Sequence, residues 1–180
     1  MEKYHIMIIR HFDTYKDNEK IKYKESFIKS ELFVNYIKKF IDRYPKINKI
    51  KFYTSDYDRT IMTSLILSSN LKNKIIDNQF EKIKINDPKI TKILDRDPKK
   101  KKKYKIGDFF ADTSDSKLND DTLYIYITHS SVIYNLFKSI LEYCTNDKID
   151  NFHERIHRYS ISTITKNNDK IKYVFNKKII

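Results

Sequence analysis

The sequence predicts an α/β protein: a three-layer α/β/α sandwich whose central sheet is mainly parallel and carries helices on both faces. Two observations lead to this fold class. Strand-like and helix-like stretches alternate along the chain, and the strand-like stretches are almost wholly apolar, as in strands that are covered on both faces. The length of 180 residues fits one domain, and we expect residues 1–180 to form it.

Three compact β-rich runs predict buried strands, and each is followed by apolar residues at helical spacing. The strands are predicted at Tyr4–Ile9, Ile50–Thr54 and Leu123–Ile127. The helices are predicted over Ser26–Arg43, from Asp56–Asp58 onward, and over Val132–Leu141. Two further strands, Tyr159–Ile164 and Ile171–Phe175, are predicted to close the chain as a hairpin across the polar turn Lys166–Asp169.

Between residues 86 and 121 this alternation is lost. Pro88 and Pro98 interrupt the stretch, and Lys99–Lys103 is an unbroken run of charge. We expect an inserted, loop-rich segment over about 86–121. Its lysines are typical of a solvated loop; the functional alternative is a basic lid that attracts an anionic substrate.

The net charge of +13 raises the question of a nucleic-acid partner. Of the 37 basic residues, however, 31 are Lys and six are Arg, in a chain rich in the residues of A/T-rich codons. This composition favours a solvated, repelling surface over a polyanion groove, so nucleic acid is not the expected partner. Where such a chain keeps an Arg, a planar two-pronged donor is indicated.

Cysteine usage and hydropathy indicate the setting of the protein. Cys144 is the single cysteine, which excludes an internal disulfide framework and a Cys-based zinc cluster and favours a reducing, cytoplasmic environment. No apolar run approaches the ~20 residues that cross a bilayer, and the first ten residues do not resemble a signal peptide. We expect a cytoplasmic protein without a membrane partner.

Chemically capable side chains follow all three predicted parallel strands. The first strand ends in Arg10-His11, the second runs into Thr54-Ser55 with Arg59 one turn later, and the third ends in Thr128-His129-Ser130. The carboxyl ends of parallel strands lie at one edge of a sheet, where ligands bind in such folds. We therefore expect two histidines and two of the scarce arginines to converge there.

Two guanidiniums and two imidazoles suit the chemistry of a phosphoryl group. Guanidinium forks match its charged oxygens, and helix N-termini supply further donors. A neutral imidazole can attack phosphorus to give a phosphohistidine that water then cleaves, and neighbouring positive charge keeps an imidazole neutral. The second imidazole can stabilise charge on the transferring group. Since side chains provide the positive charge, no metal and no cofactor is expected.

Four segments carry a resemblance to a known family. Residues 8–14, Ile-Ile-Arg-His-Phe-Asp-Thr, resemble the Arg-His-Gly-(Glu)-Thr signature of the histidine phosphatase superfamily, the phosphoglycerate mutase-like clan. Residues 53–64 are similar to its Ser-Ser-Pro-Leu-x-Arg-Ala-x-x-Thr-Ala segment, and residues 126–133 to its Val-(Ser/Thr)-His-Gly-Gly-Val-Ile segment. Residues 159–163 resemble its late Asn-x-Ser-Ile-Thr strand. The order and spacing agree from about Tyr4 to Phe175.

The resemblance implies a phosphoglycerate mutase-like fold and a role for each matching residue. It implies that His11 is the nucleophile that becomes phosphorylated and that Arg10, Arg59 and His129 form the phosphate pocket. It further implies that Thr14 and Ser130, the latter through its backbone N–H, bind substrate. The alternative interpretation is structural: each arginine would form a surface ion pair, and each histidine would be a buried residue whose hydrogen bonds are satisfied within the fold.

The sequence departs from the family pattern at two glycines and leaves the proton donor open. Phe12 and Ser130 stand where the family usually has Gly, and we expect the turn at Phe12 to keep ordinary backbone angles rather than to be strained and narrow the pocket mouth. Gln79-Phe80-Glu81 resembles the segment that carries the general acid in many relatives, so Glu81 is the candidate. The rivals are Asp13, Asp17 and Asp95, and Glu81 is equally interpretable as one charge of a surface run.

A metalloprotease-like pattern is set aside. Residues 153–157, His-Glu-Arg-Ile-His, match His-Glu-x-x-His, but neither His nor Glu follows His157 as a third ligand. We interpret this segment as an exposed helical turn.

The leading hypothesis is a metal-independent phosphatase that hydrolyses a phosphomonoester through a phosphohistidine on His11. Net hydrolysis is favoured over mutase activity because the chain is shorter than the mutases usually are. The expected substrate is a small anionic phosphorylated molecule or a phosphoprotein. The alternatives are a protein phosphohistidine phosphatase, and a catalytically lapsed module that binds phosphate or nucleic acid.

Overall fold

The computed structural model describes residues 3–12, 19–74, 83–85, 120–145, 148 and 155–179. In that part of the chain six strands and three helices follow one another. They are β1 (Lys3–Arg10), α1 (Glu19–Arg43), β2 (Lys49–Thr54), α2 (Asp58–Lys74), β3 (Ile83–Ile85), β4 (Thr122–Thr128), α3 (Ser130–Thr145), β5 (Ser160–Asn167) and β6 (Lys170–Lys178).

The strands form one sheet in the order β3-β2-β4-β1-β5-β6. The first four are parallel, and β5 and β6 are antiparallel to their neighbours, so the mainly parallel sheet and the closing hairpin are confirmed. β4 lies between β1 and β2. Arg10 on β1 is therefore level with Thr128 on β4, and Thr54 on β2 is level with Ile127, which brings three carboxyl ends to one edge.

The helices cover both faces of the sheet, as the sequence predicts. Alternate residues of a strand point to opposite faces. Met7 and Ile9 on β1 belong to the apolar cluster of α1 and α2, whereas Ile6 and Ile8 belong to the cluster of α3. Both clusters are built from buried side chains, so the sheet is the middle layer of three.

The start of α1, the end of α3 and the presence of β3 differ most from the sequence-based expectation, and α3 extends to Thr145 rather than Leu141. α1 begins at Glu19 rather than near Ser26, because residues 19–25, five of them charged, have good helix propensity but no apolar stripe to reveal them. β3 was not predicted, because three residues are too few to show a period. Its carboxyl end, Ile85, lies beside Phe52 and points toward the same edge as the end of β2.

The predicted insertion lies outside the described residues except for its last two positions. Asp120 and Asp121 form a turn before β4. The Asp121 carboxylate accepts a hydrogen bond from Lys49 Nζ at 2.9 Å, and its backbone carbonyl accepts from the N–H groups of Asn48 and Lys49. The end of the segment is therefore fixed against the start of β2.

The expectation of an exposed helical turn at residues 153–157 is wrong where the structure describes it. His153 and Glu154 lie outside the described residues. Arg155, Ile156 and His157 are irregular rather than helical, and Ile156 is buried in the cluster under α3. The buried Ile156 side chain and backbone hydrogen bonds to Arg10 and Asn176 hold this stretch in place instead. None of the helices that the structure describes combines the length and the apolar character that crossing a membrane requires.

Candidate active site

The edge formed by the ends of β1, β4 and β2 brings two of the predicted site residues into direct contact. The imidazoles of His11 and His129 lie with their ring centroids 5.1 Å apart. The backbone N–H of His11 donates to the carbonyl of Thr128 at 3.0 Å, which extends the β1–β4 pairing by one residue. Insertion of β4 beside β1 therefore makes these histidines neighbours.

The hydrogen bonding of His11 determines which of its ring nitrogens can react. Nδ1 lies 2.8 Å from the backbone carbonyl of Phe12, and a carbonyl can only accept a hydrogen bond. Nδ1 therefore carries the proton in the neutral imidazole, and Nε2 carries the lone pair. The side chain is partly exposed, so this nitrogen is held in the tautomer that suits a nucleophile without being sealed from water.

A short hydrogen-bonded chain orients His129. The Ser55 hydroxyl lies 3.0 Å from His129 Nε2 and 2.8 Å from the Thr60 hydroxyl. Thr60 also reaches the carbonyls of Ser55 and Tyr57, at 2.9 and 2.7 Å. Since carbonyls only accept, we assign Thr60 as donor to them, Ser55 as donor to Thr60, and His129 Nε2–H as donor to Ser55. His129 is 2% exposed, so its ring has one fixed orientation.

Arg59 follows the first residue of α2 and is connected to His129 through Tyr57. Its guanidinium carbon lies 5.4 Å from the centre of the Tyr57 ring, and that ring meets the His129 imidazole edge-on at 4.9 Å. Among the described residues, the buried Arg59 Nε has no hydrogen-bond acceptor. A buried cationic donor left unsatisfied is costly, so this nitrogen indicates a place for an anion.

Thr63 ties α2 to the end of β1. Its hydroxyl accepts a hydrogen bond from the backbone N–H of Phe12 at 2.9 Å and donates to the carbonyl of Arg59 at 2.7 Å. One buried side chain thus fixes the residue after His11 and the backbone of Arg59 relative to each other.

Arg10 is held from the opposite side of the sheet edge. Its Nη1 donates to the carbonyl of Ile156 at 2.9 Å. Arg10 is partly exposed, and it precedes His11 directly in the chain. The guanidinium is therefore anchored to the segment before β5 rather than extended into solvent.

The two replaced glycines are accommodated without strain. The positive-φ residues of the described chain are Tyr159, Asn168 and Asn176, so Phe12 has ordinary backbone angles, as expected. Its ring is buried and packs on Phe33 and Tyr159, with centroids 5.0 and 5.8 Å away, so it fills the core rather than the pocket mouth.

Ser130 begins α3. The carbonyl of His129 accepts from the N–H groups of Val132 and Ile133, at 2.9 and 3.0 Å, and thus starts the helix. The N–H of Ser130 belongs to the first turn, where a helix has no acceptor of its own for it. This N–H group lies directly after His129, at the end of the helix that carries partial positive charge.

The remaining sequence-predicted residues lie outside the described part of the chain. They are Thr14 and Glu81, together with the rival acids Asp13, Asp17 and Asp95. Glu81 precedes β3 in the chain, since that strand begins at Ile83. In the described residues no group of three or more His, Cys, Asp and Glu side chains is placed to hold a metal ion.

Sequence reasoning named Ser55 among the polar strand-end residues but assigned no residue the role of orienting the site. Ser55, Thr60, Thr63 and Ile156 act through hydroxyls or a backbone carbonyl, and none has a side chain that stands out in a sequence. A pattern in the sequence could have indicated the first three. Small hydroxyl residues stand at position 55, just before α2, and at positions 60 and 63 in its first two turns, and all three are buried where apolar residues are the rule.

Comparison with known proteins identifies the fold. No protein-family profile matches the chain, and no curated protein matches it in sequence. The structure is similar to the crystal structure of phosphoglycerate mutase from Plasmodium falciparum, with a TM-score of 0.51 and 17% sequence identity. The match covers 97% of this chain and 90% of that chain. Together with the sheet order, it shows that the chain has a phosphoglycerate mutase-like α/β fold.

Proposed function

We propose that this protein is a metal-independent phosphatase that uses His11 as its nucleophile. The observation that carries the proposal is the tautomer of His11: the bond from Nδ1 to the Phe12 carbonyl leaves the lone pair on Nε2, beside His129. Arg59 Nε, buried and without an acceptor among the described residues, supports an oxyanion at the same edge.

The proposed reaction has two steps. His11 Nε2 attacks phosphorus, the bond from phosphorus to the leaving oxygen breaks, and that oxygen takes its electron pair and a proton from a general acid. Water then attacks the phosphohistidine, the phosphorus–nitrogen bond breaks with its electron pair returning to Nε2, and the water proton passes to the conjugate base of the acid. Arg10, Arg59 and the Ser130 N–H would bind the phosphoryl oxygens in both steps, and His129 would add a donor at Nδ1 when its ring is protonated.

Turnover of p-nitrophenyl phosphate by wild-type protein and by His11→Ala, with and without EDTA, tests this proposal. We expect the substitution to lower kcat by roughly a thousandfold or more and EDTA to have no effect. His157→Ala is the matched control, since His157 is an exposed histidine on the neighbouring segment. Undiminished turnover by His11→Ala would exclude the nucleophile, and loss with EDTA would point to a metal enzyme.

Hydrolysis and mutase activity are separated by the products. Chain length does not separate them, because the match spans 90% of the solved mutase chain. We propose net hydrolysis because His11 is partly open to water, which must reach the phosphohistidine. Release of inorganic phosphate from 3-phosphoglycerate or from an aryl phosphate is the expected product; isomerisation of 3-phosphoglycerate without phosphate release would contradict it.

We propose a general acid supplied by a segment outside the described residues. Glu81 is the candidate from the family resemblance, and Asp87 stands two residues after Ile85, where β3 ends facing the site edge. Glu81→Gln or Asp87→Asn should slow alkyl phosphates far more than phosphoramidates, because an amine leaving group needs less help. If a substitution slows both substrates equally, the residue is not the acid. If neither substitution slows either substrate, the protein is better described as a protein phosphohistidine phosphatase.

The charge beside the site supports an anionic substrate. Arg155 and Arg158 are exposed and lie one residue before and two residues after Ile156, whose carbonyl binds Arg10. Two of the six arginines therefore lie at the rim, in a chain that uses Lys almost everywhere else. Arg155→Ala and Arg158→Ala should raise KM for a phosphopeptide or a doubly anionic phosphoester severalfold, and leave KM for p-nitrophenyl phosphate unchanged. Arg43→Ala, at the end of α1, is the control; an equal KM change for both substrates would contradict the proposal.

A further inference from the structure

The carbonyl that anchors Arg10 belongs to a short loop without regular strand or helix hydrogen bonding. Residues 155–159, here called the anchor loop, precede β5 and have no regular secondary structure apart from a turn. Arg10 Nη1 donates to Ile156 O in this loop at 2.9 Å. Because a guanidinium is planar and rigid, fixing one of its N–H groups constrains the direction of the others. The position of the Ile156 carbonyl therefore governs the direction in which Arg10 presents its donors.

The side chain of Asn176 on β6 hydrogen-bonds to the anchor loop on both sides of that carbonyl. Its Oδ1 accepts a hydrogen bond from the N–H of His157 at 2.8 Å, and its Nδ2 donates to the carbonyl of Arg155 at 2.9 Å. The residues bound are thus the two neighbours of Ile156. A single amide side chain satisfies one donor and one acceptor of the loop, which neither a carboxylate nor a hydroxyl can do at this spacing.

A bulge in the β5–β6 ladder directs Asn176 at the loop. The register shifts between Ile161 and Thr163, so that Ser162 on β5 faces two residues of β6. Asn176 has a φ of 52°, and its own N–H donates to Ser162 Oγ at 2.9 Å. The left-handed backbone is unfavourable for a residue with a Cβ, and its presence here places the amide toward the loop. Asn176 is 4% exposed, so these bonds are made away from solvent.

We propose that Asn176 is a positioning residue of the phosphate site, acting on Arg10 through the backbone of the anchor loop. The inference rests on the proposed function to the extent that Arg10 binds the phosphoryl group. The buried Ile156 side chain and the bond from Ser160 Oγ to the His157 carbonyl, at 3.0 Å, complete the support. Loss of the amide frees the peptide groups on both sides of Ile156, and the anchor of Arg10 then moves.

Two substitutions separate this role from simple support of the fold. Asn176→Gly keeps the left-handed backbone accessible and removes both side-chain bonds. Asn176→Asp keeps the acceptor for His157 and removes the donor to Arg155. Asn168→Gly is the matched control, because Asn168 has a φ of 56° in the β5–β6 turn, at the far end of β6 from Asn176. Thermal unfolding measures how much stability each variant has lost.

The binding of inorganic phosphate, measured by calorimetry in a double-mutant cycle with Arg10→Ala, tests the coupling. We expect Asn176→Gly to weaken phosphate binding about tenfold in the wild-type background, a change of about 1.4 kcal/mol. We expect less than about a twofold effect once Arg10 is gone, because the two residues act in series. Asn176→Asp should have an intermediate effect and Asn168→Gly none. The same loss in both backgrounds would overturn the proposal.

The side-chain N–H signals of Arg10 in a ¹⁵N-labelled protein give a second readout that does not depend on catalysis. In the wild type we expect slow rotation of the Arg10 guanidinium, and in Asn176→Asp faster rotation and a shifted signal. If wild-type protein binds no phosphate but the Arg10 signals change, the proposed function fails while the positioning role stands. If phosphate binds and the Arg10 signals are the same in both proteins, the positioning role fails alone.

Discussion

At the scale of single residues, the orientation of His129 depends on a hydroxyl that is not itself reactive. Ser55 accepts from His129 Nε2 and is held by Thr60, so removing the Ser55 hydroxyl leaves a buried imidazole N–H without its acceptor. We expect Ser55→Ala to lower kcat/KM by roughly 10- to 100-fold, in line with the ~1–3 kcal/mol of an unsatisfied buried group. Steady-state kinetics with p-nitrophenyl phosphate measures the effect.

Ser68→Ala is the matched control for that prediction. Ser68 is also a buried serine of α2, but among the described residues its hydroxyl bonds to the carbonyl of Leu65 within the same helix. Its removal should change the catalytic constants less than about twofold. Equal losses from Ser55→Ala and Ser68→Ala would mean that general stability, and not the orientation of His129, determines the rate.

Phe12 provides a second test at this scale, because it stands where the signature that residues 8–14 resemble usually has glycine. Its backbone angles are ordinary and its ring is buried against Phe33. Phe12→Gly should therefore destabilise the protein by about 3–5 kcal/mol through the cavity it leaves. Chemical denaturation measures this, with Phe12→Leu as the milder control. An unchanged unfolding free energy in Phe12→Gly would contradict the packing role.

The candidate reactive residues were predictable from sequence, whereas their supports were not. Arg10, His11 and His129 stand directly after apolar strands, so strand periodicity alone locates them at one sheet edge. Ile156 escaped prediction because it contributes a backbone carbonyl, which every residue has. Asn176 escaped because only the bulge and the left-handed backbone give its amide a direction.

At the scale of elements, the site depends on how α2 is fixed to the end of β1. Thr63 makes that connection by bonding Phe12 N–H and the Arg59 carbonyl. Thr63→Val keeps the shape but removes both bonds and leaves the buried N–H of Phe12 unsatisfied. We expect a loss of about 1–3 kcal/mol in unfolding free energy and a kcat/KM lowered by roughly tenfold, because His11 and Arg59 lose their common support.

Thr145→Val is the control for this element contact. Thr145 bonds the carbonyl four residues before it in α3, just as Thr63 does in α2, but it lies at the helix end remote from His129. It should lose stability without a comparable loss of kcat/KM. If kcat/KM falls in proportion to the unfolding free energy in both variants, Thr63 does not act by positioning His11 and Arg59.

The bounds of a helix or strand were predicted most closely where its apolar residues recur at a regular spacing along its length. β4, buried along its whole length, was located within one residue of each end, and α3, with seven buried residues, within two residues of its start and four residues of its end. The start of α1 was missed because its first seven residues are mostly charged and lack an apolar stripe. β3 was missed because a three-residue edge strand is specified by its neighbour β2 more than by its own sequence.

At the scale of the whole molecule, a buried histidine far from the candidate site links stability to pH. Burial against Phe40 and Tyr44 lowers the pKa of His5 from 6.5 to about 4, although the charge of Asp120 acts in the opposite direction. As the pH falls below 6.5, the unfolded chain therefore takes up a proton at this residue before the folded one does. The folded state then loses stability between pH 6.5 and about 4, by at most about 3 kcal/mol from this group.

The difference between wild type and His5→Phe isolates that contribution. Chemical denaturation at several pH values should show the wild type losing stability faster than the variant over this interval. The carboxylates titrate in both proteins and cancel in the comparison. Parallel stability curves would contradict a buried, neutral His5.

The layer order was predictable from sequence, but the position of β4 between β1 and β2 was not. Periodicity specifies which segments are strands and which faces they bury, and the alternation of elements specifies parallel pairing. The neighbour of each strand is set by long-range contacts, and here the return of β4 into the middle of the sheet places His129 beside His11. The convergence of the site is thus a property of the topology.

The most direct test of the account is the detection of a phosphorylated His11. Rapid quenching during turnover, followed by ³¹P and ¹⁵N NMR and peptide mapping, locates the phosphoryl group and the ring nitrogen that bears it. The tautomer fixed by the Phe12 carbonyl predicts an acid-labile phosphohistidine on His11 through Nε2. Turnover with no phosphohistidine at any time, or a phosphoryl group on His129 instead, would contradict the account.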